Sequence, residues 1–538
     1  MVYPMPVITI DLEDLNRLLP QPLSTEELRE TIPLLGADPD EIGDRETVIE
    51  FFPDRPDLLS TEGVARALRA FTGQAPGLTR CAVAKPKTWL SVEPSITDIR
   101  PWFLGGIVRG VTLDDVALRS LMELQEKLHV TLGRRRRKAS IGIHDMAPLK
   151  PPFRFYGCSP HEPAFIPLGC DEPMTPEEIL QEHPKGVAYA HIIADEERYP
   201  LIVDSQEQVL SMPPIINGQL TALSEATTDV LIDVQGLDRQ AVETCLNIVT
   251  AALVERGGSA EALEIRYPSE KYIVPDMAPR EHRADHDYLT RLLGWDPGEE
   301  QVRRAFGRCG LEGVLRDGEW IVQVPAWRAD LLHPVDLLEE LAIGLEYDEI
   351  PEQLPQLATF GRETASRQRE RECREALLGL GFQEVVSLTL SSARAQHELP
   401  AREPAGEAHV ANPVGEEYHL LRPALLPGLL ELLRTNRHHE LPQRIFEVGW
   451  VVRDHANRLA LGWVELNSRA PFSQARATAV AVAQRLGIAG DTQPVEDGMF
   501  IAGRCASLGD ALVFGEIHPR VLEGCELGYP AIGGEVLW

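Results

Sequence analysis

The chain has no Cys-x-x-Cys pair: its eight cysteines stand singly at 81, 158, 170, 245, 309, 373, 505 and 525. A zinc ribbon needs thiolates paired at that spacing, so this class is excluded. Cysteines scattered in this way are expected as reduced thiols of a cytosolic protein. No apolar run reaches the ~18 residues of a membrane span. The opening MVYPMPVITIDLEDL has no basic stretch ahead of a long apolar one, so a secretory signal is not expected. A soluble, cytoplasmic protein without membrane contact is predicted. Basic residues are also scarce, with 52 Lys and Arg against 83 Asp and Glu, a net charge of −31. Such a field repels a nucleic-acid backbone at long range. Any RNA contact must therefore come through local basic patches or through a partner chain.

The composition that is present, 43% hydrophobic and 25% charged over 538 residues, is that of a globular protein too long for one core. Four units are predicted. The first, 1–80, is a small α+β unit. It has a strand at 7–10, a helix at 11–19, a helix start at Ser24 with Glu27 behind it, a strand at 48–52, and a helix at 61–71. The second, 89–266, alternates strands and helices, with helices at 114–128 and 239–256, and reads as a mixed α/β sheet domain. The third, 267–350, is helix-rich, with Asp317-Gly318 as a hairpin turn and a helix from Pro334 to Leu345. The fourth runs from 355 to 538.

Asp336, Glu339 and Glu340 fall at i, i+3 and i+4, which places them on one face of that last helix, with Asp330 in its approach. Converging carboxylates repel one another, and a hard cation such as Mg²⁺ relieves this through oxygen ligands. Acidic residues in a first helical turn also simply suit the macrodipole, so spacing alone leaves both readings open. Arg134, Arg135, Arg136, Arg137 and Lys138 form the strongest basic cluster. It is either a solvated face or a contact for RNA phosphates. The Arg-rich helix at 362–374 interleaves Glu370 and Glu372, so pairing within the helix explains it as well as RNA does. His144 and Asp145 in IGIHD read as turn or core residues, because no third partner is identifiable. In MPPIING, 212–218, two prolines and Asn-Gly describe a turn.

Together these segments resemble phenylalanyl-tRNA synthetase β subunits of the archaeal/eukaryotic type. VIEFFPDRPDLLSTEGVARALRAFTG is similar to that family's N-terminal signature. LHVTLGRRRRKASIGIHD and MPPIING are similar to its editing domain, and PAWRADLLHPVDLLEELAIGLEYDEIP to its third domain. NPVGEEYHLLRPALLPGLLELLRTN and FGEIHPRVLEG are similar to its C-terminal module. The order is the family's and spans nearly the whole chain.

The resemblance implies a multidomain α+β fold. After the N-terminal unit come a mixed α/β editing domain, a winged-helix-like third domain and a class II synthetase-like, catalytically inactive module for assembly. It implies an α subunit as partner in an α2β2 heterotetramer, with ATP bound and phenylalanine activated on α, and tRNA(Phe) as substrate. No residue of this chain is then catalytic for aminoacylation. Asp330, Asp336, Glu339 and Glu340 match the positions used for a Mg²⁺ shared with α. Asn217, Asp233 and Pro213 match an editing pocket that hydrolyses mischarged Tyr-tRNA(Phe). The chain departs from the family at Gln235-Gly236-Leu237-Asp238, where T-G-T-D is common. Arg422 sits where a motif-two arginine belongs, but nothing near the C-terminus supplies the glycine-rich third motif, so Arg422 is expected to be structural. Two other functions compete: a stand-alone trans-editing hydrolase, and a non-enzymatic RNA-binding or assembly protein.

Overall fold

The computed structural model describes residues 6–43, 45–354, 359–404 and 406–538. The chain divides into two compact units, Met1–Pro355 and Gln356–Trp538. The residues predicted as three separate units therefore pack as one body.

This body begins with a three-stranded antiparallel sheet of β1 (Val7–Asp11), β2 (Ala37–Ile42) and β3 (Glu46–Phe51), in the order β1-β3-β2. Helices α1 (Leu12–Arg17), α2 (Thr25–Leu34) and α3 (Thr61–Phe71) accompany it. Ser24 and Glu27 form a capping box on α2, as the spacing predicts.

The central element is an 11-stranded sheet. Its path runs from the strand Ile216–Asn217 through Val209–Met212, Tyr199–Val203, Phe153–Cys158, Trp89–Val92, Ser259–Arg266 and Trp102–Arg109 to Asp229–Gly236 and Ala139–Asp145. We label three of these β4 (Trp102–Arg109), β5 (Ala139–Asp145) and β6 (Asp229–Gly236). Strand β6 lies between β4 and β5, antiparallel to both. Its buried apolar residues read as a central strand, covered on both faces. A helix at Asp115–Val130 and a second, almost wholly buried one at Arg239–Glu255 pack here. Arg256, at the end of that second helix, bonds Asp14 on α1 (2.7 Å) and Glu62 on α3 (2.6 Å). Buried charges paired in this way tie the N-terminal sheet to the large one.

Next comes a small sheet of Arg280–Asp285, Glu312–Arg316 and Glu319–Val324, with three helices around Trp320 and Phe306. Asp317 and Gly318 make the predicted hairpin turn, both at positive φ (50° and 82°). The last of these helices runs from Pro334 to Leu345.

The second unit holds a seven-stranded sheet, largely antiparallel and built on the long hairpin Gln443–Arg453 and Ala456–Leu466. Helices Ala365–Gly379, Leu426–Thr435 and Phe472–Leu486 belong to its cores. Arg367 and Arg371 in the first of these pair with Glu370, Glu363 and Glu375, which answers the charge of the Arg-rich helix locally. Among the described residues no helix is long and apolar enough to cross a membrane, and all eight cysteines are free thiols.

Candidate functional site

A cavity of about 250 Å³ opens beside β5 and β6, lined among others by Gly142, Ser211, Pro213, Asn217, Thr221, Asp233 and Gln235. Side chains alternate along a strand, so Asp233 and Gln235 share the face of β6 that looks into it. Directly opposite Asp233 in the antiparallel register stands Gly142. A Cβ there would lie 1.8 Å from Asp233 Oδ2, so only glycine leaves room for the carboxylate.

Two residues further along β5, His144 is fully buried. Its Nε2 lies 2.7 Å from Asp233 Oδ2 and its Nδ1 lies 2.8 Å from Thr221 Oγ1. The third partner that the sequence does not identify is thus Thr221, and His144 sits in the core. Thr221 and Asp233 flank it from positions 77 and 89 residues away, which no local pattern displays. The usable signal was Gly-x-His within a strand, since glycine there marks close approach of another group. Asp145, by contrast, holds the loop, accepting from the Ala147 N–H at 2.9 Å and the Thr227 hydroxyl at 3.0 Å.

Two oxygens in the cavity wall, Asp233 Oδ1 and Ser211 Oγ, are buried and have no hydrogen-bond partner among the described residues. Buried polar atoms left this way cost about 1–3 kcal/mol each, and two on one cavity point to a ligand that supplies the missing bonds. Asn217 is differently disposed than expected: its amide donates to the Ile143 carbonyl at 3.3 Å, bracing the turn against β5. Pro213 lines the cavity as apolar wall.

The departure at Gln235 also has a structural use. Gln235 Oε1 accepts from Arg100 Nε at 2.7 Å, and the Gln235 carbonyl accepts from Arg100 Nη2 at 3.1 Å. Burial pulls the Arg100 pKa down to about 9, and Asp233 nearby resists this. The same guanidinium donates to the carbonyls of Arg136 and Arg137, each at 3.0 Å.

The basic run is therefore not one solvated face. Arg134, Arg135 and Arg136 all have positive φ (47°, 54° and 66°), a conformation that costs non-glycine residues energy and needs outside support. Arg136 is buried and donates to the carbonyls of Pro214 (3.2 Å) and Ile215 (2.9 Å) and to Glu126 (2.7 Å). It is a strut of the cavity and not a surface contact for RNA. Arg134, Arg135, Arg137 and Lys138 are exposed, with Lys138 paired to Asp238 at 2.7 Å. Glu126, beside Arg136, is drawn down to about 2 chiefly by His129, with Arg136 and Lys185 helping against burial.

The carboxylate set also differs from expectation, because the four groups do not converge. Arg328 is 2% exposed and takes up two of them. Its Nε donates to Asp330 (2.8 Å), while Nη1 and Nη2 donate to Glu340 (3.1 and 2.7 Å). Asp336 turns back to accept from the Leu332 and His333 N–H groups, at 2.6 and 2.7 Å, and Glu339 is exposed. Among the described residues no group of three His, Cys, Asp or Glu is arranged to hold a metal. The repulsion that a cation would relieve is already relieved by a guanidinium, so the set does not fit Mg²⁺ in this chain as it folds. Chelation with EDTA is accordingly expected to leave thermal unfolding of the isolated chain unchanged. A fall in Tm restored by added Mg²⁺ would show that these residues hold the ion after all.

Similarity in sequence to named relatives spans nearly the whole chain. The chain is 40% identical to a protein named phenylalanine–tRNA ligase beta subunit from Archaeoglobus fulgidus, over 99% of this chain and 98% of the relative. It is 40% identical to the Methanococcoides burtonii protein of the same name, over 99% of each. The chain belongs to the family of phenylalanine–tRNA ligase β subunits. Residues 350–538 match the family described as "Phenylalanyl tRNA synthetase beta chain CLM domain", and 282–347 match "tRNA synthetase B5 domain". The crystal structure of an N-terminal fragment of the phenylalanyl-tRNA synthetase β subunit from Pyrococcus horikoshii covers 63% of this chain and 99% of its own. It aligns with a TM-score of 0.61 at 36% identity. As a member of this family the chain is part of an aminoacyl-tRNA synthetase. Its second unit holds Arg422 buried, bound to Glu447 (2.7 Å), Ser387 Oγ (2.9 Å) and the Trp450 carbonyl (3.1 Å). These bonds hold the guanidinium inside the protein through Nε and Nη1.

Proposed function

We propose that this β chain assembles with an α subunit into an α2β2 phenylalanine–tRNA ligase and carries the hydrolytic site that removes tyrosine from mischarged tRNA(Phe). ATP and phenylalanine are bound on α. The domains serve this division of labour. Residues 1–80 and the helix-rich 267–350 flank the editing domain, 89–266, and the class II-like module, 355–538, serves assembly. Arg422, buried and committed through Nε and Nη1, supports an inactive module. The observation that carries the editing reading is the pair of uncommitted buried oxygens, Asp233 Oδ1 and Ser211 Oγ, on one cavity.

An acceptor such as Asp233 Oδ1 takes an N–H or O–H donor. A tyrosyl ester brings an ammonium and a phenol hydroxyl, and its hydrolysis brings a water. Asp233 receives one of these donors, while Pro213 and the turn braced by Asn217 form the wall against the ring. Tyrosine and phenylalanine differ by one hydroxyl, a difference that a second, polar sieve can read. Exposed Arg134, Arg135, Arg137 and Lys138 remain as contacts for tRNA phosphates. No step runs through Mg²⁺.

The test of the division of labour is phenylalanine charging of tRNA(Phe) by this chain alone, by its α partner alone and by the mixture. Activity is expected only in the mixture. Charging by this chain alone would overturn the inactive module, and none in the mixture would favour a stand-alone editing hydrolase.

A further inference from the structure

We infer that His144 is a positioning residue for this hydrolysis: it fixes the Asp233 carboxylate through Oδ2 so that Oδ1 is left to meet the substrate. The inference rests on the editing reading above.

Three residues from separate segments form one linked chain. Asp233 stands in the middle of β6, His144 near the end of β5, and Thr221 on the turn that follows Asn217. Each is at most 2% exposed. Asp233 Oδ2 meets His144 Nε2 at 2.7 Å, and His144 Nδ1 meets Thr221 Oγ1 at 2.8 Å. A neutral ring satisfies both contacts if Nε2–H donates to Asp233 and Nδ1 accepts from the Thr221 hydroxyl. The one hydrogen of that hydroxyl can go instead to the carbonyl of Leu210 or Gly218, each at 3.3 Å, when Nδ1 is the donor to Thr221 Oγ1. Contacts on both ring nitrogens orient the imidazole, and through Nε2 it orients the carboxylate.

Gly142 supplies the remaining condition. Its missing side chain is the space that Oδ2 occupies, with His144 Nε2 also only 2.7 Å from the absent Cβ. The result is asymmetric, since one carboxylate oxygen is bonded and the other, in the same buried group, is not. A core pair serving only stability would gain by satisfying both oxygens. Leaving one bare in a cavity is the arrangement of a group whose partner arrives with the substrate.

The test is the rate of Tyr-tRNA(Phe) deacylation by the full chain in complex with its α partner. The variants are His144→Ala, His144→Gln, Asp233→Asn and the double His144→Ala/Asp233→Asn, with phenylalanine charging by the His144 variants as the folding control. His144→Ala is expected to slow deacylation by about 100-fold, the loss typical of a misplaced reacting group. The loss should appear in the same parameter, kcat or KM, that Asp233→Asn changes. The double variant should be no slower than Asp233→Asn alone, because both act through one carboxylate. His144→Gln, whose amide can donate to Asp233, should recover most of the rate. Wild-type deacylation by His144→Ala, or losses that multiply in the double variant, would overturn the inference while leaving the editing site in place. Wild-type deacylation by Asp233→Asn would overturn the editing reading and this inference with it. If His144→Ala cannot charge phenylalanine, His144→Gln against His144→Leu decides: equal rates for the two overturn the inference, and a faster Gln variant supports it.

Discussion

Gly142→Ala is expected to abolish most hydrolysis of Tyr-tRNA(Phe) while leaving phenylalanine charging by the α/β complex intact. The new methyl group would stand 1.8 Å from Asp233 Oδ2 and 2.7 Å from His144 Nε2. Both are closer than a carbon can approach, so the carboxylate must leave its place and its 2.7 Å bond to His144 is lost. Strand β5 is hydrogen-bonded along β6 from Ala139 to Asp145, which resists a shift of its backbone. Overpacking of this kind costs about 1–3 kcal/mol, a tolerable loss for a chain of this size. Displacing the group costs far more in rate, about 100-fold. Deacylation and thermal unfolding measured together check this. Deacylation at the wild-type rate would mean that the carboxylate's position does not matter.

Arg328→Ala is expected to destabilise the first unit by about 3–5 kcal/mol, the usual result of removing one partner from a buried ion pair. The side chains of Asp330 and Glu340 are 11% and 6% exposed, so both would be left as buried charges. Arg328 also sets the acid sensitivity of this region. Burial pushes the Asp330 carboxyl up, but Arg328 outweighs this and holds it at about 2, below its ordinary 3.8. A folded pKa below the unfolded one stabilises above about pH 4, and that contribution, about 2 kcal/mol, fades as the pH falls from about 4 to about 2. Denaturant unfolding of the variant at neutral pH, and of the wild type across that acid range, reads both effects. A variant as stable as wild type would mean that the three groups are not coupled.

What could be read from the sequence, and what could not, divides along chain separation. Local chemistry announced itself. Ser24 with Glu27, Pro334 at a first helical turn and Asp317-Gly318 between two strands each specify their own geometry within a few residues. The site was only partly legible. In a domain read as alternating strands and helices, the family resemblance drew attention to Asp233. The meeting of Gly142, His144 and Thr221 around it depends on strand register and on a turn many residues away. No spacing rule shows that His144 and Thr221 will touch.

The carboxylates at 330, 336, 339 and 340 teach a different lesson. The helical spacing was right, but the countercharge stands at Arg328, two residues before Asp330 and outside the helix. The run at 134–138 misled for a related reason. A row of identical side chains gives no hint that the backbone turns left-handed and carries Arg136 inward, where Glu126 and the carbonyls of Pro214 and Ile215 receive it.

The central claim is that the cavity at Asp233 hydrolyses the mischarged product. Its most direct test is single-turnover hydrolysis of Tyr-tRNA(Phe) by the α/β complex carrying either the wild-type chain or Asp233→Ala. The account predicts a variant slower by about 100-fold that still charges phenylalanine. Equal rates of tyrosine release from the two complexes would place the editing site somewhere other than this cavity.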